Sequence, residues 1–170
     1  MRPVPLPLRM LGGALLAALI ALSALLPLVT PGECASLIAL GARGKPYAFG
    51  KDGPDSYDCS GLARSVCANF GVELVHSAQF VAYDEAYPTV EDPSRFLPGD
   101  LVFFDTVEDG DACDHVGFWI GMGRFVHASS SEGRVMVSRF DETWRSRCSW
   151  AKRVLPECAR TDAWPFGERG

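Results

Sequence analysis

The spacing of apolar residues changes about half-way along the chain. Between Cys59 and Phe70 apolar residues recur at intervals of three or four, which predicts a helix that ends before Gly71. A shorter apolar helix is predicted over residues 34–42. Beyond residue 100 the pattern becomes short aromatic and β-branched runs, which predict five strands: LVFF (101–104), HVGFWIG (115–121), RFVHA (124–128), RVMVS (134–138) and SWAKRVL (149–155). Helices followed by strands indicate an α+β domain with an antiparallel sheet.

The N-terminus has the pattern of an export signal. Arg2 and Arg9 precede an uncharged apolar run over residues 10–29, which is also long enough to span a bilayer. Residues 1–32 are therefore predicted to be a signal peptide or an uncleaved membrane anchor, and the rest of the chain is predicted to be extracytoplasmic. The folded domain is predicted over 33–158, with a C-terminal tail over 159–170.

Length and charge exclude some classes of protein. The chain has 170 residues, of which 48% are hydrophobic, which is enough for one domain with a buried core. A net charge of -5 argues against a nucleic-acid partner, which would require a basic surface. We expect a monomer.

The six cysteines of an exported chain first suggest disulfides. If Cys59 is kept as a free thiol, one more cysteine is left unpaired, and Cys67 suits that place because its helical position favours burial. The other four could form two bridges with three possible pairings, which sequence cannot rank: Cys34, Cys113, Cys148 and Cys158.

Cys59 lies in the first turn of the predicted helix, which Ser56 or Asp58 could cap. The positive end of the helix dipole favours a thiolate there, whereas the negative charge of Asp58 opposes it. A reactive thiol at this position therefore requires a histidine partner.

Two of the three histidines can meet on neighbouring strands. If Gly121, Met122 and Gly123 form a three-residue loop, residue 117 faces residue 127, and His115 and His127 share one face of the sheet, roughly 7–8 Å apart. A two- or four-residue loop would place them on opposite faces. The third, His76, lies in a stretch (73–97) that prolines predict to be mostly loop, and is most simply a surface residue.

Other interpretations of these residues are open. A cysteine in an exported protein is more often bridged than catalytic, and two histidines on a strand pair are more often satisfied polar residues. A zinc site is a minor alternative, since Cys59, Cys113, His115 and His127 are suitable ligands but lack the usual paired spacing. Together, a thiol and two histidines match the parts of a cysteine hydrolase better, and no metal or cofactor is expected.

Five motifs occur in an order that resembles the NlpC/P60 family of papain-like cell-wall cysteine peptidases. They are GKPYAFG, DCSGL, LPGDLVFF, DHVGFWIG and FVHAS, within a stretch from about Cys34 to Leu155. The resemblance implies a papain-like core in which the nucleophile helix packs on the antiparallel sheet. It also implies hydrolysis of peptidoglycan stem peptides, commonly at the γ-D-glutamyl–diamino acid bond.

The resemblance also assigns roles to six residues. It implies that Cys59 is the nucleophile, that His115 is the general base, and that His127 orients the His115 ring. It further implies that Tyr47 lines the site near the oxyanion, and that two residues bind the free amine end of the stem peptide, namely Asp58 and Ser60.

Two segments depart from the family pattern. Lys51 stands where relatives usually have a glycine, and GVELVHSAQ stands where many have a proline-arginine-threonine segment. Three alternative functions are an amidase or a D,D-type peptidase with the same dyad, and a wall-binding module with an inactive site.

Overall fold

Six strands form a single antiparallel sheet in the order β1-β6-β2-β3-β4-β5. The structure, a computed structural model, describes residues 29–107 and 113–155. The strands are β1 (Thr89–Val90), β2 (Leu101–Phe104), β3 (His115–Gly121), β4 (Arg124–Ser129), β5 (Arg134–Arg139) and β6 (Cys148–Lys152). The α+β class is confirmed. The prediction of about five strands was one short, because Thr89 and Val90 pair with β6 in a stretch predicted to be mostly loop.

The described residues form four α-helices and one 3-10 turn: α1 (Pro31–Gly41), α2 (Cys59–Ala68), α3 (Ala78–Ala82), the 3-10 turn (Pro93–Arg95) and α4 (Glu142–Arg147). Helix α1 begins three residues before the predicted start, because Thr30 and Glu33 form a capping box around its first turn. The predicted domain boundary at residue 32 therefore falls inside this helix.

Each face of the sheet buries its own group of apolar side chains. Strand β2 is buried on both faces, with Leu101 and Phe103 directed to one side and Val102 and Phe104 to the other. Helices α1 and α2 cover the first face. Helix α4 lies on the second face, where Trp144 packs against Phe104 and Phe125. The predicted nucleophile helix thus packs on the sheet as the resemblance implies.

The connection between β3 and β4 differs from the predicted three-residue loop but keeps the predicted register at the histidines. Met122 and Gly123 form a two-residue turn in which both have positive φ angles, 54° and 65°. An irregularity between Trp119 and Gly121 inserts one extra residue into β3. The extra residue in β3 makes up for the shorter turn, so that residues 118 and 119 still pair with 126 and 125. His115 and His127 therefore lie on the same face, as predicted.

Helix α2 begins at Cys59 with Asp58, not Ser56, as its N-cap. Gly71 has a φ of +73° but lies two residues after the C-cap Asn69, one residue beyond the C′ position expected for it. In the first turn, Gly61 lies directly against the backbone of residues 51–52. This close approach holds the loop that precedes the helix against its N-terminus.

The five cysteines among the described residues are free thiols, so the predicted bridges do not form within residues 29–107 and 113–155. Cys158, residues 1–28 and the tail lie outside the described residues. Cys67 is a buried free thiol, as predicted. In the described part of the chain, no helix has the length and apolar character needed to cross a membrane.

We expect Gly61→Ala to lower the free energy of unfolding by about 2 kcal/mol, because the added methyl group overlaps the Lys51 carbonyl oxygen and lies 2.9 Å from the Asp52 Cα. Gly41→Ala is the matched control, since a Cβ at Gly41 meets nothing within 4 Å and should change stability by less than about 1 kcal/mol. Urea unfolding of both variants tests this. Equal stabilities would show that the contact at Gly61 is easily relieved.

Candidate active site

A cleft of about 500 Å³ opens beside the N-terminus of helix α2. Four of the residues predicted for the site line it: Tyr47, Asp58, Cys59 and Ser60. Other lining residues come from the loop at Phe49 and Gly50, from the start of α3, and from Cys113 and Asp114 before β3. The cleft is therefore formed where the loop before α2, the segment around His76 and the start of β3 converge.

The Cys59 thiol lies against strand β3. Its sulfur faces the backbone N–H of Val116, the residue after His115, and this contact favours the thiolate. Burial nevertheless raises the pKa of Cys59 to about 11, and the charge of Asp58 adds to the rise. The helix-dipole effect expected from the sequence is thus outweighed, and Cys59 is a neutral thiol in the structure at neutral pH.

The two histidines are joined by a short hydrogen bond. His115 Nε2 lies 2.8 Å from His127 Nδ1, with the rings nearly perpendicular at 86°. The other nitrogen of the His127 ring, Nε2, lies 2.9 Å from Ser138 Oγ on β5. Both nitrogens of His127 are therefore engaged, whereas among residues 29–107 and 113–155 His115 has a hydrogen-bond partner at Nε2 only.

Aromatic side chains surround both imidazoles on the second face of the sheet. Trp144 lies with its ring centroid 5.1 Å from His127 and 6.0 Å from His115, and Phe125 lies 4.9 Å from His127. Burial lowers the pKa of His115 to about 4 and that of His127 to about 3, where the neighbouring His115 contributes further. Both imidazoles are therefore neutral at pH 7.

Asp58 connects three parts of the site through one carboxylate. It accepts hydrogen bonds from Gly61 N at 2.7 Å, Gly50 N at 2.7 Å and Ser60 Oγ at 3.1 Å. His76 Nε2 lies 2.9 and 3.0 Å from its two oxygens. Burial alone would raise the pKa of Asp58, but the hydrogen bonds from Gly61, His76 and Gly50 lower it below its ordinary value.

The contact with Asp58 corrects the prediction that His76 is a surface residue. Its side chain is 25% exposed and lies in the cleft wall, because α3 turns the segment after α2 back toward the start of that helix. The periodicity of residues 73–97 is too weak to predict this return. The one signal in the sequence was that His76 is a polar residue within GVELVHSAQ, the segment that departs from the family pattern.

Tyr47 lies beside Cys59 and Asp58 in the cleft. Burial raises the pKa of its phenol, and the charge of Asp58 acts in the same direction, as would the charge of a Cys59 thiolate. Its backbone N–H donates to Gly133 O, which anchors this loop near the β4–β5 turn. A neutral phenol therefore lines the cleft next to the thiol.

Comparison with known proteins identifies the family. The family model for the NlpC/P60 family matches residues 44–153, which is more than half of the chain. The chain belongs to this family. The matched range contains every residue that the sequence analysis assigned to the site.

Individual relatives agree with the NlpC/P60 assignment. The probable endopeptidase p60 of Listeria innocua is 38% identical over 52% of this chain and 18% of its own length. The murein DD-endopeptidase MepS/murein LD-carboxypeptidase of Escherichia coli K12 is 36% identical over 66% of this chain and 57% of its own. The structure of NlpC2 from Trichomonas vaginalis aligns with a TM-score of 0.69 and 26% identity, over 78% of this chain and 49% of that one. The chain thus spans about a fifth to just over half of these relatives.

The histidines of this NlpC/P60 domain are arranged differently from zinc ligands. His115 and His127 are hydrogen-bonded to each other, and their nitrogens do not converge on a common point with Cys59 and Cys113. No group of three potential ligands within residues 29–107 and 113–155 is placed to hold a metal ion. The geometry gives no support to the zinc alternative.

Two neighbours of the histidines were missing from the sequence-based prediction. Ser138 pairs with Phe125, so that it lies on the same face of β5 and β4 as His127. Strand alternation was sufficient to place Ser138, once β5 was paired with β4. Trp144 could not be placed in this way, because α4 reaches the histidines only through tertiary packing.

We expect the free energy of unfolding to fall as the pH is lowered from 7 to 5. The folded-state pKa values of His115 and His127 lie below the ordinary value of 6.5, so the unfolded chain binds more protons in this range. Their contribution to the free energy of unfolding is complete above about pH 6.5 and is lost as the pH falls toward 4. Denaturant unfolding at each pH measures the free energy of unfolding.

The double variant His115→Gln/His127→Gln is the control for this slope. It should flatten the profile between pH 7 and 5, where Asp58 is ionised in both states, because its ordinary pKa of 3.8 already lies below this range and folding lowers it further. If the free energy of unfolding depends on pH equally in the wild type and the double variant, the two imidazoles do not cause that dependence.

Proposed function

We propose that the protein is an exported cysteine peptidase that hydrolyses peptidoglycan stem peptides. The observation that carries the proposal is the hydrogen bond between His115, at the start of β3, and His127, on β4, together with the contact of the Cys59 thiol with Val116, the residue after His115. The names of the p60 and MepS relatives, an endopeptidase and a murein endopeptidase, support this substrate class. The export signal over residues 1–32 would deliver the domain to the wall.

Cys59 and His115 would act from a neutral resting pair. Because burial raises the pKa of the thiol and lowers that of the imidazole, an ion pair is unfavourable before substrate binds. We expect His115 Nδ1 to take the thiol proton as sulfur attacks the peptide carbonyl. The backbone N–H of Cys59, with help from the Tyr47 hydroxyl, would stabilise the oxyanion.

The remaining steps return the enzyme to its starting state. The protonated His115 donates its proton to the leaving amine as the carbon–nitrogen bond breaks, which leaves a thioester on Cys59. Water then attacks the thioester, giving one proton to His115 and releasing the new carboxylate. The same proton finally returns to the Cys59 sulfur.

The hydrogen bonds beyond His115 would determine its tautomer. To accept the thiol proton at Nδ1, the neutral ring must carry its hydrogen on Nε2 and donate it to His127 Nδ1. His127 must then carry its own hydrogen on Nε2 and donate it to Ser138 Oγ. We infer that Ser138 is a positioning residue that acts through His127.

The bond most consistent with the motifs is that between γ-D-glutamate and the diamino acid. A D,D-type activity is the second candidate, because the name of the MepS relative specifies a DD-endopeptidase. An inactive wall-binding module is the third. The masses of the products distinguish the γ-D-glutamyl activity from the D,D-type activity. Cleavage that is lost in Cys59→Ala distinguishes both activities from an inactive wall-binding module.

Residues 29–170, which keep the Thr30 cap and the first turn of α1, should release stem-peptide fragments that end at D-glutamate from purified peptidoglycan. The Cys59→Ala variant should release none, because the nucleophile is absent. Mass spectrometry of the digest identifies the fragments. Cys67→Ala, a buried cysteine on the same helix, should remain active as the matched control. Fragments ending at D-alanine would favour the D,D-type activity. Equal cleavage by wild type and Cys59→Ala would refute the mechanism.

Ser138→Ala should lower kcat about 5-fold with little change in KM, since the lost hydrogen bond is worth about 1 kcal/mol and orients the base without touching substrate. Ser138→Thr, which keeps the hydroxyl on a strand, should recover most of the rate. Nitrogen NMR of the His127 ring should show loss of the single Nε2–H tautomer in the alanine variant alone. A normal kcat with a mixed tautomer would remove Ser138 from the mechanism.

A further inference from the structure

The carboxylate of Asp58 has no acceptor site left for a substrate. Four groups donate to it, and a carboxylate offers about four lone-pair positions. The donors are Gly50 N, Gly61 N, Ser60 Oγ and His76 Nε2. Because the carboxylate is ionised and can only accept, His76 must carry its hydrogen on Nε2. An incoming ammonium group would have to replace one of these donors.

Only one donor is free to leave. Gly50 and Gly61 donate from the backbone at 2.7 Å, and the Gly61 contact also caps helix α2. Ser60 is buried, and because its hydroxyl hydrogen points to Asp58, its oxygen can still accept from an ammonium. His76, in contrast, is a side chain in the cleft wall with 25% of its surface exposed.

We propose that His76 competes with the substrate ammonium for Asp58 and thereby removes the preference for a free amine, so that stem peptides with an acylated N-terminus are accepted equally well or better. The inference rests on the proposed function and concerns the substrate class of the same cleft. A peptide with a free amine must displace His76 before it reaches Asp58 and Ser60. A peptide whose N-terminus is acylated, as in a stem still joined to its glycan, leaves the His76–Asp58 pair intact.

Displacement of His76 has a free-energy cost that only the free amine bears. A hydrogen bond to a charged group is worth about 1.5–3 kcal/mol, which corresponds to a factor of ten or more in affinity. The ammonium regains part of this in its own contact with Asp58. The wild-type protein should therefore show little or no preference for a free amine, despite having a carboxylate in the cleft.

The test uses the peptide L-Ala-γ-D-Glu-diaminopimelate with its N-terminal amine either free or acetylated. We expect wild type to have a kcat/KM for the acetylated peptide equal to or above that for the free one. His76→Ala should shift the ratio about 10-fold toward the free amine, because Asp58 then lacks its mobile donor. Gln79→Ala is the matched control, since Gln79 lines the same cleft and should leave the ratio unchanged.

Binding measurements separate this inference from the proposed function. Calorimetry with Cys59→Ala and with Cys59→Ala/His76→Ala should give the same shift in the ratio of Kd values, without any hydrolysis. If wild type cleaves neither peptide but the Kd ratio shifts, the selectivity role stands and the proposed reaction fails.

Three results would overturn the role of His76. The first is a tenfold or greater preference of wild type for the free amine. The second is a ratio that His76→Ala leaves unchanged while the peptides are cleaved or bound. The third is the absence of both cleavage and binding in every variant, which would also refute the proposed substrate class.

Discussion

The Asp58 carboxylate joins three segments that are distant in sequence. It caps helix α2 through Gly61, holds the preceding loop through Gly50, and binds His76 from the segment that follows the helix. Since a cap of this kind is worth about 1 kcal/mol, its larger role is geometric. The cleft wall, the start of helix α2 and the loop before that helix are all held by this one buried charge.

The same charge adds to the effect of burial on the thiol. Burial, together with the charge of Asp58, keeps Cys59 protonated, while burial keeps the imidazoles of His115 and His127 neutral. A neutral thiol is less reactive toward oxidants than a preformed thiolate would be. Under the proposed function, the thiol would give up its proton only during attack, which would protect it in an oxidising compartment.

Much of the fold could be predicted because local patterns agree with the tertiary structure. The bounds of β2 and β3 match the prediction, and α2 begins at Cys59 as expected. The predictions fail where distant packing decides the conformation. Thr89 and Val90 form a strand only because β6 offers an edge, and α1 begins at Pro31 because Thr30 and Glu33 cap it.

By itself, the sequence determined the type of each main element and the residues with suitable chemistry, because periodicity, capping and motif order are local properties. It also placed His115 and His127 on one face, although the turn reaches that register through an extra residue in β3. Only the tertiary structure decided that His76 reaches Asp58 and that Trp144 encloses the histidines. These contacts depend on how helices α3 and α4 pack, and no spacing along the chain encodes that path.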